Sequence, residues 1–247
     1  MKLKVIGSSS KGNCYVLETP TGSLLLDAGV PFREIQKSLD FNLSRVCGCL
    51  VTHEHQDHCK AVRALTFSGI DCYMSMGTLK SVESLNAHRL MPVISGMRFD
   101  LGDFIILPFD TQHDCAQPLG YLIVYRLTGE KLLFATDTYY IKYRFNGLNY
   151  LLLECNYCKD ILDLNIENGY IPLSLRKRLL ESHFSLENVK GFLSANDMTN
   201  VRKIVLIHLS DGNSNAEQMV REITELTKKD TEVAEAGKVI ELEMYPF

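Results

Sequence analysis

Five short apolar runs in this chain each lead into aspartate or histidine. Leu24-Leu25-Leu26 runs into Asp27-Ala28-Gly29, and Val46–Val51 leads into His53-Glu54-His55-Gln56-Asp57-His58. Leu107-Pro108-Phe109 leads to Asp110 and His113, Leu132–Ala135 to Asp137, and Ile204–Ile207 to His208. Short apolar runs bounded by turn-formers read as strands, buried on both faces where the run is continuous. Strand ends and the loops after them are where a rigid scaffold presents functional groups. A single aspartate in such a place is usually a turn or a helix cap, and a lone histidine such as His88 is more often exposed or hydrogen-bonded in place. Five strand ends of the same kind, one carrying His53, His55, Asp57 and His58 together, point instead to a metal site. Imidazole and carboxylate together suit zinc, manganese or iron. Ligands this close in sequence can serve two ions, and a pair ~3.5–4 Å apart can generate a hydroxide nucleophile and clamp both ends of a displacement.

The remaining pattern predicts strands over Lys2–Ile6, Asn13–Glu18 and Ser23–Asp27, a loop over Gly7–Gly12, and a hairpin turn at Thr19–Gly22. A helix with proline at its first position is expected over Pro31–Leu39. Helical spacing follows the histidines over Cys59–Phe67, then a strand over Asp71–Met74 and a helix over Thr78–Leu85. Strands are expected over Phe104–Leu107, Leu119–Arg126, Lys131–Thr136, Tyr150–Glu154, Lys203–Ile207 and Lys238–Glu243, with helices over Leu173–Glu181, Leu186–Ala195 and Asn215–Lys228. Strands then helix, twice over, imply an α/β fold of two packed sheets with helices outside, in one domain spanning 1–247.

With 247 residues, 46% of them apolar, the chain can bury a sizeable core. No stretch approaches the ~20 apolar residues of a membrane span, and Met1–Gly7 lacks the apolar region of a secretory signal. A cytoplasmic protein is expected, its eight cysteines free thiols. A net charge of −4 argues against a surface that grips nucleic acid everywhere. A local basic groove remains compatible with it, because bound divalent cations reverse the sign of a site.

The order Asp27, His53-x-His55-x-Asp57-His58, His113, Asp137, His208 resembles the five metal motifs of the metallo-β-lactamase superfamily, over nearly the whole chain. The resemblance implies a four-layer αβ/βα sandwich with two mixed sheets and a dinuclear site along one edge. It implies that His53, His55 and His113 hold one ion, that Asp57, His58 and His208 hold the second, and that Asp137 bridges them. Asp27 is then expected to hydrogen-bond a ligand or the attacking water, which lies between two divalent ions (zinc or manganese, with iron a further candidate).

Fold does not give function in this superfamily. The bridging Asp137 and the absence of a recognisable signal separate the chain from the true β-lactamases, and His rather than Glu at position 55 separates it from the flavodiiron oxidoreductases. Glu154 at a strand end and His183 before a helix start resemble the Glu and His-x-Ser elements of ribonuclease Z and related phosphodiesterases. Such a histidine serves the leaving oxygen, with the acidic partner favouring its imidazolium form. Gly7–Cys14, Leu26–Gly29, Val51–His58, Gln112–Asp114 with Pro118–Tyr121, Ala135–Asp137 and Ile207–Ser210 resemble the YycJ/WalJ-type bacterial metallohydrolases, a group of DNA nucleases. Ser182-His183-Phe184-Ser185 departs from that group, which carries Gly before the histidine and Leu after it. The stretch between Asp137 and His208 is too short for the cap of the β-CASP nucleases, and no basic arm like that of ribonuclease Z is present. Lys142-Tyr143-Arg144-Phe145 and Arg176-Lys177-Arg178 offer local basicity. The expectation is a dinuclear metal-dependent phosphodiesterase acting on DNA through a metal-bridging hydroxide, with Asp57, Glu154 and His183 as its catalytic groups and no membrane partner. The rivals are a thioesterase or lactonase of small acyl substrates and a mononuclear iron dioxygenase.

Overall fold

The computed structural model of the chain describes residues 1–82 and 87–242. Its strands in chain order are β1 (Lys2–Ser9), β2 (Gly12–Glu18), β3 (Ser23–Leu26), β4 (Val46–Leu50), β5 (Cys72–Met74), β6 (Leu90–Pro92), β7 (Phe99–Leu101), β8 (Phe104–Asp110), β9 (Leu119–Tyr125), β10 (Lys131–Ala135), β11 (Tyr150–Glu154), β12 (Lys203–Ile207), β13 (Asp230–Val233) and β14 (Val239–Glu241). The α-helices are α1 (Phe32–Ser38), α2 (Gln56–Cys59), α3 (Val62–Phe67), α4 (Met76–Ser81), α5 (Lys159–Glu167), α6 (Leu173–Ser182), α7 (Leu186–Ala195) and α8 (Ala216–Thr227). They form two mixed sheets of seven strands, ordered β14-β1-β2-β3-β4-β5-β6 and β13-β12-β11-β10-β9-β8-β7. The chain divides into two compact units, Met1–Asp110 with Cys115–Gly129 and Glu235–Phe247, and Thr111–Asp114 with Glu130–Ala234. Among the described residues no helix is long and apolar enough to cross a membrane.

In the first unit β1, β2 and β3 run antiparallel, and β3 to β6 are parallel. The expected loop over Gly7–Gly12 is instead the tight end of the β1–β2 hairpin, with a register shift between Val5 and Gly7. A Cβ on Gly7 would lie 2.4 Å from the Gly12 carbonyl oxygen, so only glycine lets the strands close there. The helix expected over Cys59–Phe67 is split into α2 and α3, because the Ala61 amide leaves the helical ladder to donate to the Ala28 carbonyl (2.8 Å). α4 begins earlier than its apolar spacing suggests, since the Ser75 hydroxyl caps it by accepting from the Thr78 amide. Residues 83–85 of that expected helix, and Glu243 of the closing strand, lie outside the described residues.

In the second unit β10 to β13 are all parallel, and β11 is buried along its whole length between β10 and β12. A run such as Leu151-Leu152-Leu153 suits a strand covered on both faces, where each leucine contributes ~1.5–3 kcal/mol by leaving water. The register sets Ala135 opposite Leu153, and Glu154 opposite Ile207, so the carboxyl ends of the three strands finish level. Functional residues placed just after them therefore gather at one edge. Three strands, β6, β7 and β13, have no counterpart among the sequence expectations, and neither has α5, whose one buried residue is Leu162.

A Cβ on Gly29 would lie 1.6 Å from the Asp57 carbonyl oxygen, so the segment after β3 is laid directly on the backbone of α2. Gly29→Ala is expected to cost about 3 kcal/mol or more and to displace Asp57 and His58. Gly191→Ala, inside α7 with open space around it, should stabilise by about 0.5–1 kcal/mol. Chemical denaturation of the two variants against the parent checks both.

Candidate metal centre

In the first unit β3 and β4 are parallel, with Leu26 opposite Leu50, so Asp27 and Thr52 meet just beyond the strand ends. The buried Asp27 carboxylate accepts from the Thr52 amide (2.8 Å), the Thr52 hydroxyl (3.0 Å) and His58 Nδ1 (2.8 Å). Burial pushes its carboxyl above the usual carboxylate range, against the opposing pull of His58 and Thr52. Since the Thr52 hydroxyl donates to Asp27, it accepts from His53 Nδ1 (3.0 Å). These bonds favour ring protons on Nδ1 of His53 and His58, and so a lone pair on Nε2 of each. His53 Nε2 lies 3.1 Å from His55 Nδ1, and His58 Nε2 lies 3.4 Å from Asp57 Oδ2 and 3.1 Å from Asn13 Nδ2. Imidazole nitrogens that converge so closely, with a carboxylate beside them, form a donor set that fits a divalent cation. Glu54, inside the same run, turns away: its carboxylate accepts from the Ala116 amide (2.6 Å) and the Thr78 hydroxyl (3.4 Å).

In the second unit Asp137 follows β10 and His208 follows β12. Asp137 Oδ1 accepts from the Thr136 hydroxyl (2.8 Å) and pairs with His208 Nδ1 (2.8 Å), while Oδ2 lies 3.5 Å from His113 Nε2. His113 Nδ1 donates to the Ser182 carbonyl (2.9 Å), which again puts the lone pair on Nε2. Glu154, fully buried at the end of β11, accepts four hydrogen bonds. Its Oε1 takes His183 Nδ1 (2.6 Å) and His208 Nδ1 (3.1 Å), and its Oε2 takes the amides of Thr138 (2.9 Å) and Phe184 (3.1 Å). The donor atoms of Asp137, Glu154, His183 and His208 all lie within 4.8 Å of one another. A carboxylate with about four lone-pair sites, all used, has none left for a metal, so Glu154 serves as an acceptor that positions its neighbours. Burial pushes Glu154 up, but His183 and His208 outweigh it and hold its carboxyl below the usual range. Burial works against protonated His183 and His208. The facing carboxylates prevail, Glu154 for His183 and Asp137 for His208, raising His183 and bringing His208 to about 10. His113 is lowered, chiefly by burial.

Three of these residues have left-handed backbones, with φ of 59° at Asp27, 47° at Asp137 and 54° at His208. Each is held there by its flanking groups. The Asp27 amide donates to the Leu50 carbonyl (2.8 Å), the amide after Asp137 is taken by Glu154, and the His208 carbonyl accepts from Asn156 Nδ2 (2.9 Å).

The first unit thus brings Asp27, His53, His55, Asp57 and His58 together, and the second brings together His113, Asp137, Glu154, His183 and His208. His88 is exposed. The eight cysteines are free thiols. Thr52, Asn13, Thr138, Ser182 and Asn156 carry no signal of their own in the sequence; only their places beside the ligand motifs would have drawn notice. In the Arg176-Lys177-Arg178 run each cation has an acid beside it: Arg176 pairs with Asp163 (2.9 Å), Arg178 with Asp114 (2.8 Å), and Lys177 stands 4.0 Å from Glu181.

A family model described as "Beta-lactamase superfamily domain" matches residues 23–209. The chain belongs to the metallo-β-lactamase superfamily. Its similarity to Exodeoxyribonuclease YycJ of Bacillus anthracis is 28% identity over 256 residues, 97% of this chain and 94% of that protein. Exodeoxyribonuclease WalJ of Streptococcus pneumoniae serotype 2 is 29% identical over 245 residues, 92% of this chain and 86% of that protein. The crystal structure of the metallo-β-lactamase fold protein YhfI from Bacillus subtilis superposes with a TM-score of 0.72 at 14% identity, covering 96% of this chain and 98% of that one. The fold is therefore the α/β sandwich of this superfamily, as the motif order implied.

Histidines raised on folding stabilise the chain fully below their unfolded value of 6.5, and that contribution is lost as pH rises toward the folded value, about 10 for His208. In chelator, denaturation midpoints should fall between about pH 6.5 and 9. The lowered His113 acts only below this window. Glu154→Gln should flatten the slope. An equal slope in that variant would contradict the assigned role of Glu154.

Proposed function

We propose that this chain is a dinuclear metal-dependent phosphodiesterase that cleaves DNA. In this reading His53, His55 and His113 bind one divalent ion, Asp57, His58 and His208 bind the other, and Asp137 bridges them. The ligand order of the superfamily supports this assignment, as do the Nδ1 hydrogen bonds of His53, His58 and His113, which put the lone pair of each ring on Nε2. When bound, two such ions would supply Lewis-acid activation of the attacking water and neutralise charge at phosphorus. Zinc and manganese both suit the donors.

The observation that carries the phosphodiesterase reading is the 2.6 Å contact between His183 Nδ1 and a Glu154 carboxylate that has no lone pair to spare. Glu154 fixes the ring through Nδ1, favours the imidazolium, and leaves Nε2–H to deliver a proton to the leaving oxygen. Asp57 orients the attacking water besides binding metal. Asp27, through Thr52 and His58, keeps the imidazoles in the tautomer that binds. The two exodeoxyribonuclease relatives, similar over nearly their full length, favour DNA as the polyanion.

The decisive experiment is metal analysis of the purified protein, coupled to cleavage of single- and double-stranded DNA, RNA and a small phosphodiester with manganese and zinc. Two ions per chain and cleavage of DNA are expected. A single iron per chain, or turnover only of thioesters or lactones, would overturn the reading. His183→Ala should keep its metal while losing ~10²–10⁴-fold in turnover. Asp137→Ala should fail to hold two ions.

A further inference from the structure

The segment 139–144, which begins two residues after Asp137, forms one wall of a cavity of about 390 Å³ whose other wall is α7. That volume lies at the small end of ligand pockets, the size for a single compact group. The segment has no regular secondary structure, yet it is pinned at both ends. Asn188 Nδ2 donates to the Tyr139 carbonyl (3.1 Å), the Thr138 hydroxyl to the Tyr140 carbonyl (2.9 Å), and the Phe145 amide to Asn196 Oδ1 (2.8 Å). Ile141 and Phe145 are buried, Phe145 against Phe192 at 6.4 Å between ring centroids.

The side chains of this segment that the fold leaves exposed or half-buried are tyrosines and cations. Tyr140 is 57% exposed, Tyr143 is half-buried, and Lys142 and Arg144 are exposed between and beside them. Lys142 Nζ stands 5.0 Å from the Tyr143 ring centroid, a cation seated on an aromatic face. Against these two cations the cavity wall carries one acid, Glu187. A loop anchored at both ends and presenting alternate aromatic rings and cations is a platform for stacked bases and their phosphates. Phe184, adjacent in sequence to His183, also lines the cavity, so its walls start from residues neighbouring the proposed acid and the proposed bridging ligand.

We propose that this cavity receives one unpaired nucleobase of the DNA strand, stacked on Tyr140 and Tyr143, with the flanking phosphates on Lys142 and Arg144. The base belongs to a nucleotide next to the phosphate under attack. A base held in a duplex cannot enter, so single-stranded or frayed ends are favoured. The proposal rests on the nuclease reading above, and the test separates the two.

Metal-loaded His183→Ala protein binds single-stranded oligonucleotides that carry one abasic site at successive positions, followed by fluorescence anisotropy; the wild type is assayed for cleavage in parallel. One abasic position should weaken binding roughly 5- to 150-fold. That penalty should vanish when Tyr140→Ala and Tyr143→Ala are added, and return with Tyr140→Phe and Tyr143→Phe, which keep the rings. Lys142→Ala with Arg144→Ala should reduce the salt slope by about 1.4, the change expected when two cations no longer neutralise phosphates of a single strand. DNA cleavage with no position-specific abasic penalty, or with one that the alanine variants leave unchanged, overturns the base site and leaves the nuclease reading intact. A ring-dependent penalty without cleavage by the wild type keeps the base site and removes the nuclease. Neither binding nor cleavage removes both.

Discussion

The Glu154 carboxylate is the interaction on which the second unit's chemistry depends. A fully buried carboxylate is costly unless its lone pairs are met, and here each oxygen accepts twice. Its four donors come from the segments after β10, α6 and β12. A charge at the end of the most buried strand thereby sets the position of three strand- and helix-end segments at once. The geometry of His183 and His208 follows from it, and Glu154 also raises His183 and adds to the pull of Asp137 on His208.

The first unit reaches the same end by the same physics. Asp27, also fully buried, takes Thr52 and His58, and Thr52 passes the constraint to His53. In each unit the carboxylate stands at the end of a parallel strand and fixes imidazoles donated by a neighbouring segment. Register makes this possible: parallel strands that finish level bring together residues distant in sequence. The glycine at 29 adds a steric condition, since its missing side chain is the space that the Asp57 backbone occupies.

Much of this is legible in the sequence, for physical reasons. Leu151-Leu152-Leu153 and Ile204-Val205-Leu206-Ile207 are continuous apolar runs of the length and kind that suit a buried strand, and their ends locate Glu154 and His208. Leu186–Ala195 carries its own cap at Ser185, so its start is readable from the residues alone. The ligand motifs and their family likeness identify the fold and the candidate ligands. Thr52, Asn13 and Asn156 stay hidden because their roles arise from which strand lies beside which, information that no local pattern holds. The arginine run before His183 reads as basicity, whereas Asp114 and Asp163 neutralise its guanidinium groups from distant sequence positions.

The left-handed backbones at Asp27, Asp137 and His208 narrow the alphabet available at those positions. Besides glycine, the residues that enter this region with little penalty are asparagine, aspartate and histidine, and only the last two offer a strong donor to a cation. The conformational filter and the chemical one overlap in just two letters. An exchange that preserves charge, such as Asp137 to glutamate, keeps the carboxylate but leaves that conformational class. Drift at these three sites is therefore confined by the turn of the chain before any question of reactivity arises. A bound ion would preserve the site's chemistry; the backbone has already decided which spellings of it are permitted.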